Sequence, residues 1–594
     1  MSFLGEIKRR KVWQVAAVYV AVALAVIGLI DGVNEPLSLP SWFDTVVIVL
    51  LAVGLPIALV LAWAFDLTRA GVVRTPASDE VAEARVPGGT SQHPAQSPQT
   101  APSPRAESIE PRPELLRNSV AVLPLENLSP NPDDAYFAAG IHGEILNYLA
   151  KIKDLHVIAR TSVKRYQDTD KSIAEIAAEL GVGTIMEGSV RYAGERVRVT
   201  AQLIDATTEN HLWSEVYERD LADVFAIQAD VAGKIAEALA AECSVAEKAS
   251  MEKLPTSSPE AYALYLRALA IVQEHGHAVG ASPGLRSSSQ SYLDKAIAID
   301  ADFALAYVER ARLYASQLNQ DPGIRENYAS SRAELEGLAL ADLRKALALD
   351  PGIGAAHGIL ARIHQFNWRG SEAREAYERA LQLSPNQPEV LVDYAVFCAH
   401  TGRAEEALEL GKRGVKVDPN SSEGRMWLQV VLLILGDSDA ALAEMRRAVE
   451  LSPTSGPAHL MLGSQEGVLG NHAEARKHTQ IAEQLLGDNI NPAFVGEMLF
   501  SYAQAGCPED AQRIFHRLEE MAETRRIPNS AWILGYLALG DDEQALHWLN
   551  AAADSPEPYV GYFGLMRIKL NAMASPVLDE PRFRKARDRL GFRD

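Results

Sequence analysis

Residues 373–453 read AREAYERALQLSPNQPEVLVDYAVFCAHTGRAEEALELGKRGVKVDPNSSEGRMWLQVVLLILGDSDAALAEMRRAVELSP, and their spacing decides the fold of most of the chain. Pro385, Pro419 and Pro453 recur at one constant interval, and Pro351 extends the series upstream. Twelve residues before each of these prolines is an alanine (Ala339, Ala373, Ala407, Ala441), and Ala475 continues the series. Five residues before each is a second small residue (Ala346, Ala380, Gly414, Ala448), continued by Ala482. Two small residues seven apart share one helical face, where a neighbouring helix can approach closely. The proline then falls just past the helix end, where a missing N–H costs little. The chain therefore predicts a helical unit that repeats at the interval the prolines set, from one register proline to the next.

This register resembles the tetratricopeptide repeat (TPR), two antiparallel helices per unit stacked into a right-handed superhelix. Upstream, Leu293, Ala296 and Tyr307 fit it before an insertion near 316–334; downstream, Ala511, Phe515, Ala545 and Leu549 fit. About eight repeats are expected across 257–560, with an irregular C-terminal cap over 561–594. The expected fold class is multidomain: a two-helix transmembrane hairpin, a disordered linker, a small α/β domain and an all-α TPR solenoid.

The hairpin rests on two uncharged runs, 12–30 (VWQVAAVYVAVALAVIGLI) and 45–65 (TVVIVLLAVGLPIALVLAWAF). Each is long enough to cross a bilayer core as a helix. Lys8, Arg9, Arg10 and Lys11 lie in the basic segment 1–11, and Arg69 and Arg74 follow the second run, whereas the loop 31–44 has neither Lys nor Arg. The positive-inside rule then predicts an inner-membrane protein, contacting the lipid bilayer through two helices, with its soluble domains in the cytoplasm. Residues 76–118 are rich in Pro, Ser, Gln and Ala and predict a disordered linker.

The chain has 594 residues and a net charge of −21. Residues 1–118 hold ten basic and eleven acidic side chains, so nearly all of the excess belongs to the rest. This argues against nucleic acid as a partner, since phosphate binding needs a basic face. Three cysteines without a CxxC pair give no disulfide framework or zinc site.

Residues 119–243 predict a compact α/β domain. Ser119–Leu125 and Leu155–Ala159 read as buried strands, and Phe137, Ile141, Ile145 and Leu149 give a helix its apolar face. Ser172 and Glu175 form a capping box for a helix that stops at Gly181. Thr184–Tyr192 and Arg196–Ile204 form a hairpin, His211–Arg219 a further strand and 223–241 an amphipathic helix. The strings SVAVLPLENLSP (119–130), HVIARTSV (156–163) and the run from Ile176 to Leu239 resemble the amino-terminal-like module of the TolB family, related to the FlgO domain. In related proteins that α/β-plus-TPR unit follows a class III adenylate cyclase domain or a winged-helix regulator. The resemblance thus implies a sensory or scaffold unit without its usual output domain.

Catalytic motifs are missing from the sequence: it contains no GxxxxGK[ST], HExxH or GxSxG. His142 and Glu144 read as a solvated helix face, Asp133 and Asp134 as a helix cap, and Trp213 with Tyr217 as packing on one strand face. His357, His364, His400, His459 and His472 recur without metal-ligand spacing. No catalytic residue, cofactor or metal is expected, and the chain reads as a non-enzymatic adaptor.

The expected site is the concave groove, lined in TPR folds by the first helix of each pair. Carried over in the proline register, that pattern selects Arg362 and Gln365 in one repeat. It selects Glu389, Val392, Val396 and His400 in the next, then Glu423, Met426, Val430 and Leu433. Their mixture of apolar groups and few charges suits a protein or peptide partner. Self-association is left open, as is a sensory reading in which the α/β domain binds a small ligand and signals to a separate effector. Packing of some groove residues against the α/β domain is a competing expectation.

Overall fold

A computed structural model describes residues 116–131, 134–193, 196–220, 224–241, 243–275, 283–318, 328–488, 490–554 and 580–589, with the backbone of 65–68 and 71–74. The chain divides into two compact units, Met1–Glu107 and Ser108–Asp594. In the first, β1 (Phe65–Thr68) pairs antiparallel with β2 (Gly71–Arg74).

The second unit begins with a mixed sheet. Its strands are β3 (Leu116–Val122), β4 (Glu126–Asn127), β5 (His156–Val157), β6 (Val182–Ala193), β7 (Arg196–Asp205) and β8 (His211–Asp220). The order is β5-β3-β6-β7-β8, with β4 also on β6. β3 runs parallel to both its neighbours, and β6, β7 and β8 form an antiparallel meander. Val120, Ala121 and Val122 are all fully buried, as expected of a strand covered on both faces. β7 alternates: Val197, Val199, Ala201 and Leu203 face inward, while Arg196 and Arg198 are exposed.

Helices α1 (Ala135–Leu149) and α4 (Val224–Ala238) cover one face through Phe137, Ile141, Ile145, Ile227 and Val231. Helix α3 (Ile173–Leu180) covers the other through Ile176, Ala177 and Leu180. The Ser172–Glu175 capping box is formed, and Gly181 ends α3 with φ 70°. The strand expected over 155–159 shortens to His156–Val157. The reason is tertiary: the Ala159 N–H turns away to donate to the Val417 carbonyl of the solenoid, and a short helix, α2 (Arg160–Lys164), begins.

After α5 (Val245–Glu252), eight helical hairpins follow among the described residues, from Pro259–His275 with Pro283–Ile299 to Asn529–Leu539 with Asp542–Asp554. The alanine register does what its spacing predicts. Ala339, Ala373, Ala407, Ala441 and Ala475 are fully buried, as are Ala346, Ala380, Ala448 and Ala482. The turn inside successive hairpins is made by Gly402, Gly436, Gly470, Gly506 and Gly540, all with φ between 71° and 82°. That left-handed conformation closes a helix at little cost only for glycine. Trp368 holds the equivalent place one repeat earlier, with φ 60°.

The α/β module and the first repeats share one hydrophobic core. Phe137, Ile141 and Ile145 belong to the same buried cluster as Tyr262, Tyr265, Leu266 and Phe303. Gly140 permits this closeness: a Cβ there would lie 2.6 Å from a Leu266 methyl.

The expected transmembrane hairpin is corrected. Among the described residues, no helix is long and apolar enough to cross a membrane. The longest, Tyr328–Leu349 with 22 residues, carries Arg332, Glu334, Glu336, Asp342, Arg344 and Lys345, charges that a bilayer core would strip of water. Residues 12–30 and 45–64 lie outside the described residues, and Phe65, the last of the second expected span, opens a β-strand. The observed fold class is a mostly helical TPR-like solenoid with a small N-terminal α/β region. The inner-membrane localisation, its cytoplasmic orientation and the lipid contact rested on those spans and fall with them. The linker expected over 76–118 lies outside the described residues up to 115, and β3 begins inside it at Leu116.

Candidate partner-binding cleft

The connections between successive hairpins present their polar groups to the α/β module, in repeat register. Asn386 and Asn420 each follow a register proline, in successive repeats. Asn386 donates to the Ile152 and Leu155 carbonyls at 3.1 and 2.6 Å. Asn420 donates from its side chain to the Ser162 carbonyl at 3.2 Å and from its backbone to Ser162 Oγ at 2.8 Å. Asp418, just before Pro419, accepts hydrogen bonds from the Thr161 and Ser162 hydroxyls. Burial pushes the Asp418 carboxyl up from its ordinary value, and the two hydroxyls partly offset this.

Between module and solenoid lies a cavity of about 1290 Å³, large for a small-molecule site. Its solenoid wall includes Val392, Met426, Val430, Met461 and Phe494, with Glu389 and Glu423 among them. Its module wall includes Gly143, Glu144, Lys151, Arg160 and Thr161.

The electrostatics of the module wall follow from burial. Glu144 is 3% exposed and accepts from Asn147 Nδ2 at 3.1 Å and Tyr265 Oη at 3.3 Å. Desolvation outweighs those bonds and raises its carboxyl to about 7. His142, on the same helix, donates from Nε2 to the Val122 carbonyl at 2.8 Å, and burial holds it down at about 4. Neither residue lies on the solvated face that their spacing suggested. The helix Pro259–His275 covers the Glu144 side of α1, through Tyr265 and Leu266, and His142 faces the sheet at Val122.

Of the groove residues read from the sequence, Arg362, Glu389, Val392, Glu423, Met426 and Val430 come together around this cavity. Arg362 pairs with Asp393 at 3.8 Å. The other four do not line it. Gln365 is buried and accepts the Tyr377 hydroxyl; Val396 and His400 are buried in the helix packing; Leu433 packs against Leu428, Leu432 and Ala441. Gln365, His400 and Leu433 stand in the last turn of their helices, Val396 one turn earlier, where adjacent helices cover them. The reading allowed for packing against the α/β domain but named no residue of the module wall, nor Asn386, Asp418 and Asn420. Their signal was present, since two asparagines stand in the proline register. Of the expected cap for α1, Asp134 takes the N-cap position without a side-chain capping bond, and Asp133 lies outside the described residues. Tyr217 is in the core with Trp213 packed beside it, and Tyr217 Oη donates to Asp230 at 2.7 Å.

Residues 369–428 match a family model of the tetratricopeptide repeat, and the chain carries such repeats. Over 280 residues it is 34% identical to "Putative adenylate cyclase 3" of Rhizobium meliloti (strain 1021), covering 47% of this chain. The chain spans only 42% of that protein's length. Among solved structures, it is similar to YrrB, described as a TPR protein with an unusual peptide-binding site (23% identity, 33% of this chain, 93% of that one, TM-score 0.24). It is also similar to pilF of Pseudomonas aeruginosa (18% identity, 45% and 97%, TM-score 0.27). A third is the human IFIT1 dimer with PPP-AAAA (16% identity, 62% and 82%, TM-score 0.38).

Proposed function

We propose that this protein is a non-enzymatic adaptor that binds a partner peptide in the cleft between its α/β module and its repeat solenoid. One observation carries the reading: a cavity of about 1290 Å³ whose solenoid wall sets Val392, Met426 and Val430 among Glu389 and Glu423, and which a second module closes. Extended or helical peptides fill such grooves with apolar anchors, while rim charges select among them. In this reading the modules divide the chain into a TolB amino-terminal-like domain at 119–243, a repeat array at 257–560 and a cap at 561–594. The test is a displayed peptide library panned on the purified full-length protein. Enriched peptides should carry apolar anchors, and Met426→Lys should weaken them about tenfold or more while leaving the circular dichroism spectrum unchanged. Absence of enrichment, or equal binding by the variant, would sink the idea.

A second reading draws on the likeness to a protein named as an adenylate cyclase. The shared stretch would then be a sensory unit that binds a small ligand and reports to a separate effector. A nucleotide and metabolite screen should in that case find a compound that raises the melting temperature of the full chain. A flat screen counts against it.

A further inference from the structure

We propose that Arg160 and Gln273 form a subsite, assembled across the two modules, that takes a carboxylate of the bound peptide; this rests on the peptide-binding reading above.

Arg160 opens the short helix α2 and faces the cavity. Its guanidinium makes one long hydrogen bond, 3.5 Å to the Ala139 carbonyl, and no carboxylate among the described residues pairs with it. A guanidinium has five N–H donors, so most of its capacity is unspent. Desolvation, with no acidic partner to offset it, draws its pKa down to about 10. The nearby carboxylates are engaged elsewhere: Glu309 with Arg312 at 3.1 Å, Glu144 with Asn147 and Tyr265, Asp418 with Thr161 and Ser162.

Gln273, on the first solenoid helix, meets Arg160 over Gly143. A Cβ on Gly143 would lie 2.6 Å from Gln273 Nε2 and 3.9 Å from Arg160 Nη1. The bare glycine therefore lets an amide and a guanidinium converge on one spot. Gln273 Oε1, on the same amide, is buried without a hydrogen-bond partner among the described residues. The arrangement supplies a fork of donors beside one acceptor. A carboxylate next to an amide N–H satisfies both: the oxygens accept from Arg160, and the N–H donates to Gln273. Leu269 and Val272, on the same helix as Gln273, also face the cavity and favour an apolar neighbour for that carboxylate.

The carboxylate can belong to the peptide's C-terminus or to an Asp or Glu side chain. Both sources share the chemistry, and two probes separate the questions. In thermal shift at pH 7, hexanoate should raise the melting temperature of the full-length protein, and hexanamide should not. Arg160→Met should abolish the difference. Gly143→Ala keeps the charge but puts a methyl where the amide and the guanidinium converge, and should weaken hexanoate several-fold by crowding its place; it serves if Arg160→Met fails to fold. Equal responses to the two compounds in the native protein, or an undiminished hexanoate response in both variants, overturn the subsite. For a library-derived peptide, Arg160→Met should raise Kd at least about tenfold. C-terminal amidation reproduces that loss if the terminus is read; Glu→Gln in the peptide reproduces it if a side chain is read. Peptides that bind both proteins equally overturn the subsite alone. A hexanoate response without any peptide binding overturns the peptide source.

Discussion

Glu144 and His142 stand two residues apart on one helix, and burial moves their titrations in opposite directions. Glu144 is raised from 4.5 to about 7, so it favours the protonated form in the fold. Its contribution to stability is present below 4.5 and is lost as pH rises through about 7. His142 is lowered from 6.5 to about 4, so its contribution is present above 6.5 and is lost as pH falls towards 4. Between those limits the two slopes oppose each other. Glu144→Gln keeps an acceptor for Asn147 and Tyr265 but removes the charge. The variant should be more stable than the native protein at pH 8, by on the order of 3 kcal/mol. The advantage should vanish by pH 4.5, and the variant should lose stability more steeply on acidification. Urea titrations across that range measure it; an advantage independent of pH would contradict the burial account. Neither shift was legible in the sequence, because Glu144 is buried against Tyr265 of a solenoid helix and His142 against β3, neighbours far along the chain or across the sheet.

At the scale of elements, two kinds of glycine do separate jobs. Gly436 ends a helix with φ 81° and open space about it, so its alanine variant should cost about 1 kcal/mol from backbone strain alone. Gly140 has an ordinary helical backbone but lies against Leu266. Gly140→Val should separate α1 from the first solenoid helix and cost about 1–3 kcal/mol, read as a lower urea midpoint. A neutral Gly140→Val would mean that the two helices slide apart freely. The elements themselves were mostly readable. The proline and alanine register, the capping box at Ser172 and the alternation in β7 each reflect the helix or strand period, which local sequence carries. The shortened β5 was not readable, since a bond from Ala159 to Val417, in a distant repeat, ends it.

For the whole molecule, Asp418 is the joint between module and solenoid. Asp418→Ala removes the acceptor of two hydroxyls and should cost about 2 kcal/mol. The loss should be local: amides of 152–163 should exchange faster, while those of the hairpin 492–522 keep their protection. Uniformly faster exchange would mean that the joint stabilises the array as a whole.

The repeat architecture is written along the chain. Each turn of the register needs the same small residues and the same stop, so physics repeats at a fixed spacing and can be counted. Of the ten groove residues read on that basis, six line the cavity. Their surroundings could not. Which face of the array is covered, which carboxyl is raised by burial and which arginine has no acidic partner among the described residues all depend on the α/β module docking against loops far along the chain. Burial and pairing are properties of three-dimensional neighbours, and no period in one strand of sequence records who those neighbours are.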